Sequence, residues 1–268
     1  MITKNNLNCN DCNLEFNEYY FDSMGIPKYN HKNRESVFNY AKQLEGKTLR
    51  EVCGDIIKKD GVKKKAKGKF GVDLEKFYFG YKNNSDHSPD LSELGVEIKS
   101  TGIEEDEKPE KRGKYRAKER ISLAIVDFKN IKFQSFEESV WTKIKNPLFV
   151  IYDYESRDIH EYDKKIVCVD FYEYSEFEKE MIYKEWEKIR DVVIHHGGQY
   201  VSQRKLKHNF LEPTTTGATS EDLVENIDGQ PRCKPRRFAF PNIIEREIGQ
   251  ANRIVKKLLK YDIDFNES

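Results

Sequence analysis

No run of apolar residues in this 268-residue chain approaches the roughly 20 needed to cross a bilayer as a helix. The first residues, MITKNNLNCNDCNLEF, lack the apolar stretch of a secretory leader. A cytoplasmic protein with no membrane partner is the expectation. Cysteine is scarce as well: five in all, an odd number, which argues for free thiols in a reducing compartment rather than a disulfide framework. Cys9 and Cys12 form the single Cys-x-x-Cys. No second pair follows at zinc-finger spacing, and a structural zinc takes four ligands. Net charge is also absent, the formal sum being zero, so the total gives no sign of a polyanionic partner. P-loop, dinucleotide fingerprint, serine nucleophile elbow and internal repeat are all missing, and the function classes they announce drop out.

What is present is charge in quantity and an ample core. Charged residues make up 35% and apolar residues 37%, the balance of a folded protein with a densely charged surface. The length suits one domain with elaborations. The charges are unevenly spread. KKDGVKKKAKGK at 58–69 sets seven lysines against one aspartate, and RCKPRR at 232–237 is basic too. Lysine runs are commonly solvated loops, but two basic segments beside a carboxylate site point to a phosphate-bearing partner.

Along the chain, residues 1–34 are polar and without clear period, and read as an N-terminal extension or lid. Val37, Tyr40, Ala41 and Leu44 have helical spacing, with Gly46 closing the run. Leu49, Val52 and Ile56 suggest a second helix, and Phe70, Leu74, Phe77 and Tyr78 a third that ends at Gly80. Strand-like segments follow: LGVEIKS, RISLAIVDF, NPLFVIYDY and KKIVCVDFY. EEDEKPEKRGKYRAKER between the first two reads as a charged loop or exposed hairpin. SEFEKEMIYKEWEKIRDVV predicts an amphipathic helix with Phe177, Met181, Ile182, Trp186, Ile189 and Val193 inward. Residues 194–242 are loop-rich. NIIEREIGQANRIVKKLLK predicts a last helix stacking Ile244, Ile248, Ala251, Val255 and Leu258. The whole describes a mixed α/β core.

The stretch SPDLSELGVEIKST, residues 88–101, carries the chemistry. Strand geometry puts Glu97 and Lys99 on one face, with Val96 and Ile98 on the other. Asp90 precedes them at the turn into the strand, while Glu93 reads as solvated. Two carboxylates converging with a lysine suit Mg²⁺-dependent cleavage of a phosphodiester. A hard cation takes oxygen ligands, and a lysine offsets developing negative charge. A solvated strand face with an ordinary surface ion pair has the same spacing. Spacing alone leaves both readings open.

The surrounding residues decide between them. KGKFGVDLEKFYFG followed by SPDLSELGVEIKST resembles the signature of the MutH family of GATC-specific endonucleases, which includes type II restriction enzymes. A Lys-Gly-x-x-Gly-x-x-Leu-Glu helix, here Lys67 to Glu75, precedes an aspartate, and after six intervening residues comes Glu-Leu-Lys, here with Ile98 for Leu. KYRAKERISLAIVDF, SVWTKIKNPLFVIYDYE, EPTTTGATSEDL and RRFAFPNIIEREI continue the similarity, which spans about residues 35–258 and weakens after 190.

The resemblance implies a restriction-endonuclease-like PD-(D/E)xK core, a mixed central sheet flanked by helices. It implies a catalytic part over 35–190 and a DNA-reading part over 191–268. By residue it implies Asp90, Glu97 and Glu75 as Mg²⁺ carboxylates, Lys99 as the residue that helps activate water, and Lys143 as a further active-site lysine. Lys145 is placed to exchange roles with Lys143. Thr214, Thr215 and Thr216 stand where MutH has a basic Arg-Pro-Lys, so base reading would pass to hydroxyls and methyls. Phosphate contacts fall to Lys67, Lys69, Arg204, Lys205, Lys207, Arg236 and Arg237. The implied substrate is double-stranded GATC-containing DNA, cut by a transient homodimer or by sequential nicking. A cognate DNA methyltransferase would be a functional rather than physical partner. Two rival readings are a strand-nicking mismatch-repair enzyme and a DNA-binding module that has lost catalysis. His195 and His196, before Gly197 and Gly198, read as the cationic end of a helix rather than as catalytic groups.

Overall fold

The computed structural model describes residues 16–54, 68–81, 88–105, 115–154, 159–201, 209–217, 219–244 and 247–260. In chain order its strands are β1 (Glu97–Glu105), β2 (Tyr115–Ala117), β3 (Ile121–Ile125), β4 (Pro147–Asp153), β5 (Ile166–Phe171), β6 (Glu212–Thr215), β7 (Arg236–Phe240), β8 (Ile243–Ile244) and β9 (Glu247–Ile248). Helices at Arg34–Lys42, Leu49–Cys53, Lys69–Asp73, Thr142–Ile144, Glu176–His196 and Gln250–Leu258 intersperse with them. The class is mixed α/β, as expected. Among the described residues no helix is long and apolar enough to cross a membrane, and Cys53, Cys168 and Cys233 are free and buried. The chain divides into two compact units, Met1–Ser100 with Asn146–Phe171, and Thr101–Lys145 with Tyr172–Ser268.

In the first unit the opening part of β1 lies in the sheet order β1-β4-β5. β4 and β5 are antiparallel, with Leu148 opposite Phe171 and Val150 opposite Val169. Pro147 to Ile151 are buried without alternation, the pattern of a strand covered on both faces. The Arg34–Lys42 helix starts where the Asn33 side chain accepts the Ser36 N–H, and its buried residues are the expected Val37 and Ala41. Thr48 and Glu51 form a reciprocal capping box for Leu49–Cys53; Ile56, expected to extend that helix, lies outside the described residues. Residues 16–33 are built into this unit. Tyr20 donates to the Tyr29 carbonyl at 2.7 Å, and Tyr29 donates to the Phe79 carbonyl at 2.9 Å.

The second unit holds the far part of β1 paired with β2, Ile103 opposite Ala117, so the two ends of the charged segment pair as antiparallel strands. Ala117 is buried and donates its N–H to Asn252 Oδ1 at 2.6 Å. A three-stranded antiparallel sheet runs in the order β3-β7-β6, and β6 and β7 come from the segment expected to be loop. The Glu176–His196 helix is capped by Ser175 and Glu178. Its buried face is Glu178, Ile182, Glu185, Trp186, Ile189 and Val193, whereas Phe177 is 58% exposed and Met181 is not on that face. Polar residues displace the expected apolar ones because each is satisfied. Glu185 accepts the N–H groups of Asn209, Phe210 and Leu211, and Glu178 accepts from Tyr172 and Gln250. The last helix begins later than expected, at Gln250, because β8 and β9 form a hairpin over Ile243–Ile248. At Gly249 a side chain would meet the Pro241 carbonyl at 2.3 Å, so the backbone folds back there instead of winding on.

Candidate active site and candidate nucleic-acid face

The hairpin at 90–97 turns a sequence interval into geometry. Leu91 and Val96 form an antiparallel bridge, with N–H to O distances of 2.9 and 3.2 Å. A 3-10 turn over Ser92–Leu94 joins them and ends at Gly95, whose φ of +61° is a conformation glycine adopts without strain. The next pair outward from the bridge is Asp90 and Glu97. Each carboxylate accepts a backbone N–H from the other's segment. Glu97 Oε2 accepts from Asp90 at 3.2 Å, and Asp90 Oδ2 accepts from Ile98 at 2.8 Å. Asn146 holds the same hairpin from outside, accepting the Glu97 N–H on its carbonyl and donating its side chain to the Leu94 carbonyl.

Sequence alternation put Glu97 on a polar face, yet it is 2% exposed, alongside Val96 at 0% and Ile98 at 1%. Both faces of the strand start are therefore covered, and a simple solvated face is excluded. Leu94 lies in the turn rather than the strand. Lys99 donates to Glu97 Oε1 at 2.5 Å. Burial pulls the pKa of its ammonium down, but Glu97, Asp90 and Glu75 outweigh burial and leave it above the ordinary lysine value. Glu75 therefore acts on the same ammonium. It sits in a widened turn, Leu74–Phe79, that continues the Lys69–Asp73 helix, and Gly80 closes the turn with its N–H on the Glu75 carbonyl. Such i to i+5 turns recur at functional sites. Gly80 has φ +74°, and a Cβ there would lie 2.2 Å from the Tyr20 backbone nitrogen.

Lys69 ends in a small polar cluster of its own. Its ammonium donates to Asp73 Oδ2 at 3.0 Å and to Tyr162 Oη at 2.6 Å, and Tyr162 donates to the same Asp73 oxygen. Asp73 is 4% exposed, so this lysine compensates a buried carboxylate. The hydrogen bond to Tyr162 comes first among the causes that raise the Lys69 pKa.

In the second unit the structure gathers residues that lie 21 and 23 apart in sequence. Thr214 is opposite Arg237 and Thr215 opposite Arg236 in the β6–β7 ladder, and Thr216 extends it through an N–H to the Pro235 carbonyl at 3.0 Å. Thr214 Oγ1 donates to the Arg237 carbonyl, and Arg236 donates to Thr215 Oγ1. Directly opposed residues share a face and neighbours do not, so these four form two rows on opposite faces. Lys143 lies on the Thr142–Ile144 helical turn, and Lys145 follows it, exposed. His195 and His196 fall in the last turn of their helix, as expected. Lys67, Arg204, Lys205 and Lys207 lie outside the described residues, as do Cys9 and Cys12.

The donors around Asp90 and Glu97 are carboxylate oxygens, which suit a hard divalent cation that keeps several of its waters. Among the described residues no group of three or more His, Cys, Asp and Glu side chains is arranged to hold a metal. The two-carboxylate pair is thus the unit that fits. Asn146, the outer anchor of the hairpin, was not singled out from sequence; its position just before Pro147, where β4 starts, was the available signal.

The family model described as DNA mismatch repair enzyme MutH matches residues 79–185, a range holding Asp90, Glu97, Lys99 and Lys143. The type II restriction enzyme Sau3AI of Staphylococcus aureus is 28% identical over 216 residues, covering 77% of this chain and 40% of that protein. The chain thus spans less than half the length of that relative. Together, the match over 79–185 and the likeness to a type II restriction enzyme make this chain similar to MutH-like restriction and repair endonucleases.

Proposed function

We propose that this chain is a Mg²⁺-dependent, site-specific endonuclease that hydrolyses phosphodiester bonds in double-stranded DNA at GATC. The observation that carries the reading is the reciprocal Asp90–Glu97 clamp with Lys99 bonded to Glu97. A solvated surface pair has no use for two carboxylates fixed by backbone donors and a nearly buried glutamate. Asp90 and Glu97 would hold the cation, with Glu75 acting from its widened turn. A cation held there would supply polarisation of a phosphoryl oxygen and a more acidic attacking water. Lys99 orients that water and offsets the charge that builds on the phosphate. The backbone N–H groups of Asp90 and Ile98 hold the two carboxylates beside one another.

In this reading the segment 191–268 reads the DNA. Thr214, Thr215 and Thr216 would supply the groups that read base edges in the major groove, and Arg236 and Arg237 those that hold phosphates, together with Lys67, Lys69, Arg204, Lys205 and Lys207. Lys143, or Lys145 in its place, completes the catalytic set. Double-strand cutting then takes either a transient homodimer or two successive nicks, and a methyltransferase of the same specificity protects the host DNA. The likeness to a restriction enzyme favours restriction over strand-nicking repair.

The test is digestion of plasmids that contain or lack GATC, methylated and unmethylated, with Mg²⁺, beside a Glu97→Ala control. Cleavage confined to GATC plasmids and lost in the variant is expected. Equal digestion by both proteins would overturn the site, and indifference to GATC would overturn the specificity. Nicked circles as the end product would support the repair reading instead.

A further inference from the structure

Unit one buries several tyrosines, and their hydroxyls differ in one respect. Tyr20 donates to the Tyr29 carbonyl and meets His31 Nδ1, and Tyr29 donates to the Phe79 carbonyl. Tyr40 and Tyr78 exchange hydroxyl-to-carbonyl bonds at 3.0 and 2.8 Å. Tyr81 is 1% exposed, and among the described residues its hydroxyl has no hydrogen-bond partner. An unsatisfied buried hydroxyl costs free energy in the fold, and phenylalanine would fill the same space without that cost. A reason other than packing is required.

Its location supplies one. The Tyr81 N–H, like that of Gly80, rests on the Glu75 carbonyl, so this residue closes the widened turn that presents Glu75. Burial comes first among the influences on the Tyr81 hydroxyl, followed by the carboxylates of Asp90, Glu75 and Glu97, all of which disfavour its ionisation. The phenol therefore remains a neutral donor within the field of the carboxylates that also act on Lys99.

We propose that Tyr81 is a positioning residue of the carboxylate site: its hydroxyl is the donor that fixes a site carboxylate, Asp90 foremost, when that group turns toward a bound divalent cation. This rests on the metal-dependent reading above. A donor behind a metal-binding carboxylate holds its orientation and tunes its affinity. Asp90 and Glu97 accept backbone N–H groups, and Glu97 also accepts from Lys99, so the phenol is left over.

The test titrates Mg²⁺ into the full chain by calorimetry and follows melting with and without Mg²⁺, for wild type, Tyr81→Phe and Tyr20→Phe. Tyr81→Phe is expected to bind Mg²⁺ about tenfold more weakly while melting no lower than wild type in its absence. Tyr20→Phe, which loses a satisfied bond, is expected to melt lower with its Mg²⁺ affinity unchanged. Equal Mg²⁺ affinity in wild type and Tyr81→Phe would overturn the role of Tyr81 and leave the metal reading standing. No Mg²⁺ binding by wild type would overturn the metal reading itself, and the inference with it. Should Tyr81→Phe fail to fold, wild type carrying a ¹³C label at the Tyr81 ring supplies the readout. Its Cζ resonance is expected to shift on Mg²⁺ addition, and an unmoved resonance at saturation would overturn the proposal.

Discussion

Lys99 reaches back along its own strand to donate a 2.5 Å hydrogen bond to Glu97, and the two side chains are 18% and 3% exposed. A pair so far withdrawn from water differs from a surface ion pair, whose loss changes little. Lys99→Ala is expected to lower kcat on GATC plasmids by about 10²–10³, while duplex affinity measured in Ca²⁺ stays as in wild type. Full cleavage by this variant would return Lys99 to a structural role.

Lys69 offers a test of phosphate contact against internal compensation, because its ammonium already serves Asp73 and Tyr162. Removing it leaves a buried carboxylate short of its cation, so Lys69→Met is expected to cost about 3 kcal/mol in urea denaturation. If it also touches phosphate, the slope of log affinity against log salt falls by about one. An unchanged slope with the same loss of stability would confine Lys69 to the fold.

The rows on the β6–β7 ladder predict which substitutions interact. Arg236 bonds to Thr215, whereas Thr214 lies on the opposite face. In DNA-binding measurements, Thr215→Ala and Arg236→Ala are expected to combine non-additively, with a coupling of about 0.5–3 kcal/mol. Thr214→Ala with Arg236→Ala is expected to add. Reversed couplings would mean that the register differs in the DNA-bound protein.

Glu178 gives the pH dependence of stability. Burial would raise its pKa, but Tyr172, Ser175 and Gln250 outweigh burial and hold it below the ordinary 4.5. A depressed carboxylate contributes stability that is present above its unfolded value and lost as pH falls through the folded one. Wild type should therefore melt above Glu178→Gln at neutral pH, and the gap should close in acid below about pH 4. A gap independent of pH would assign the loss to packing.

Much of this molecule was legible in the residues, and the misses have physical causes. Asp90, Glu97 and Lys99 could be singled out together because strand alternation is a local rule, but spacing left their role open, and a family resemblance supplied that role along with Glu75. Burial of Glu97 was not legible, since alternation reports which side a residue faces and not what covers that side. Glu185 was hidden for a related reason: its three N–H donors come from 209–211, a segment whose sequence gives no sign of meeting that helix. The β6 and β7 strands were missed because Pro213, Gly217 and Pro235 punctuate them as turns. Helical periodicity across Ile244 and Ile248 did not decide the element, since the chain pairs there as β8 and β9, with Ile243 opposite Ile248 and Ile244 opposite Glu247. Tyr81 was indistinguishable from its neighbours, because an unpartnered hydroxyl exists only in three dimensions.

The bridge between Leu91 and Val96 makes the loop it encloses a ruler. The separation of Asp90 from Glu97 is set by counting backbone units, so substitutions at Ser92, Glu93 or Leu94 leave the mark where it is. One residue more or fewer would slip the count, and a strand shifted by one presents its opposite side. Ile98 would then stand where the carboxylate belongs. The six-residue interval is therefore a quantity that this protein can neither lengthen nor shorten, whatever residues it uses to fill it.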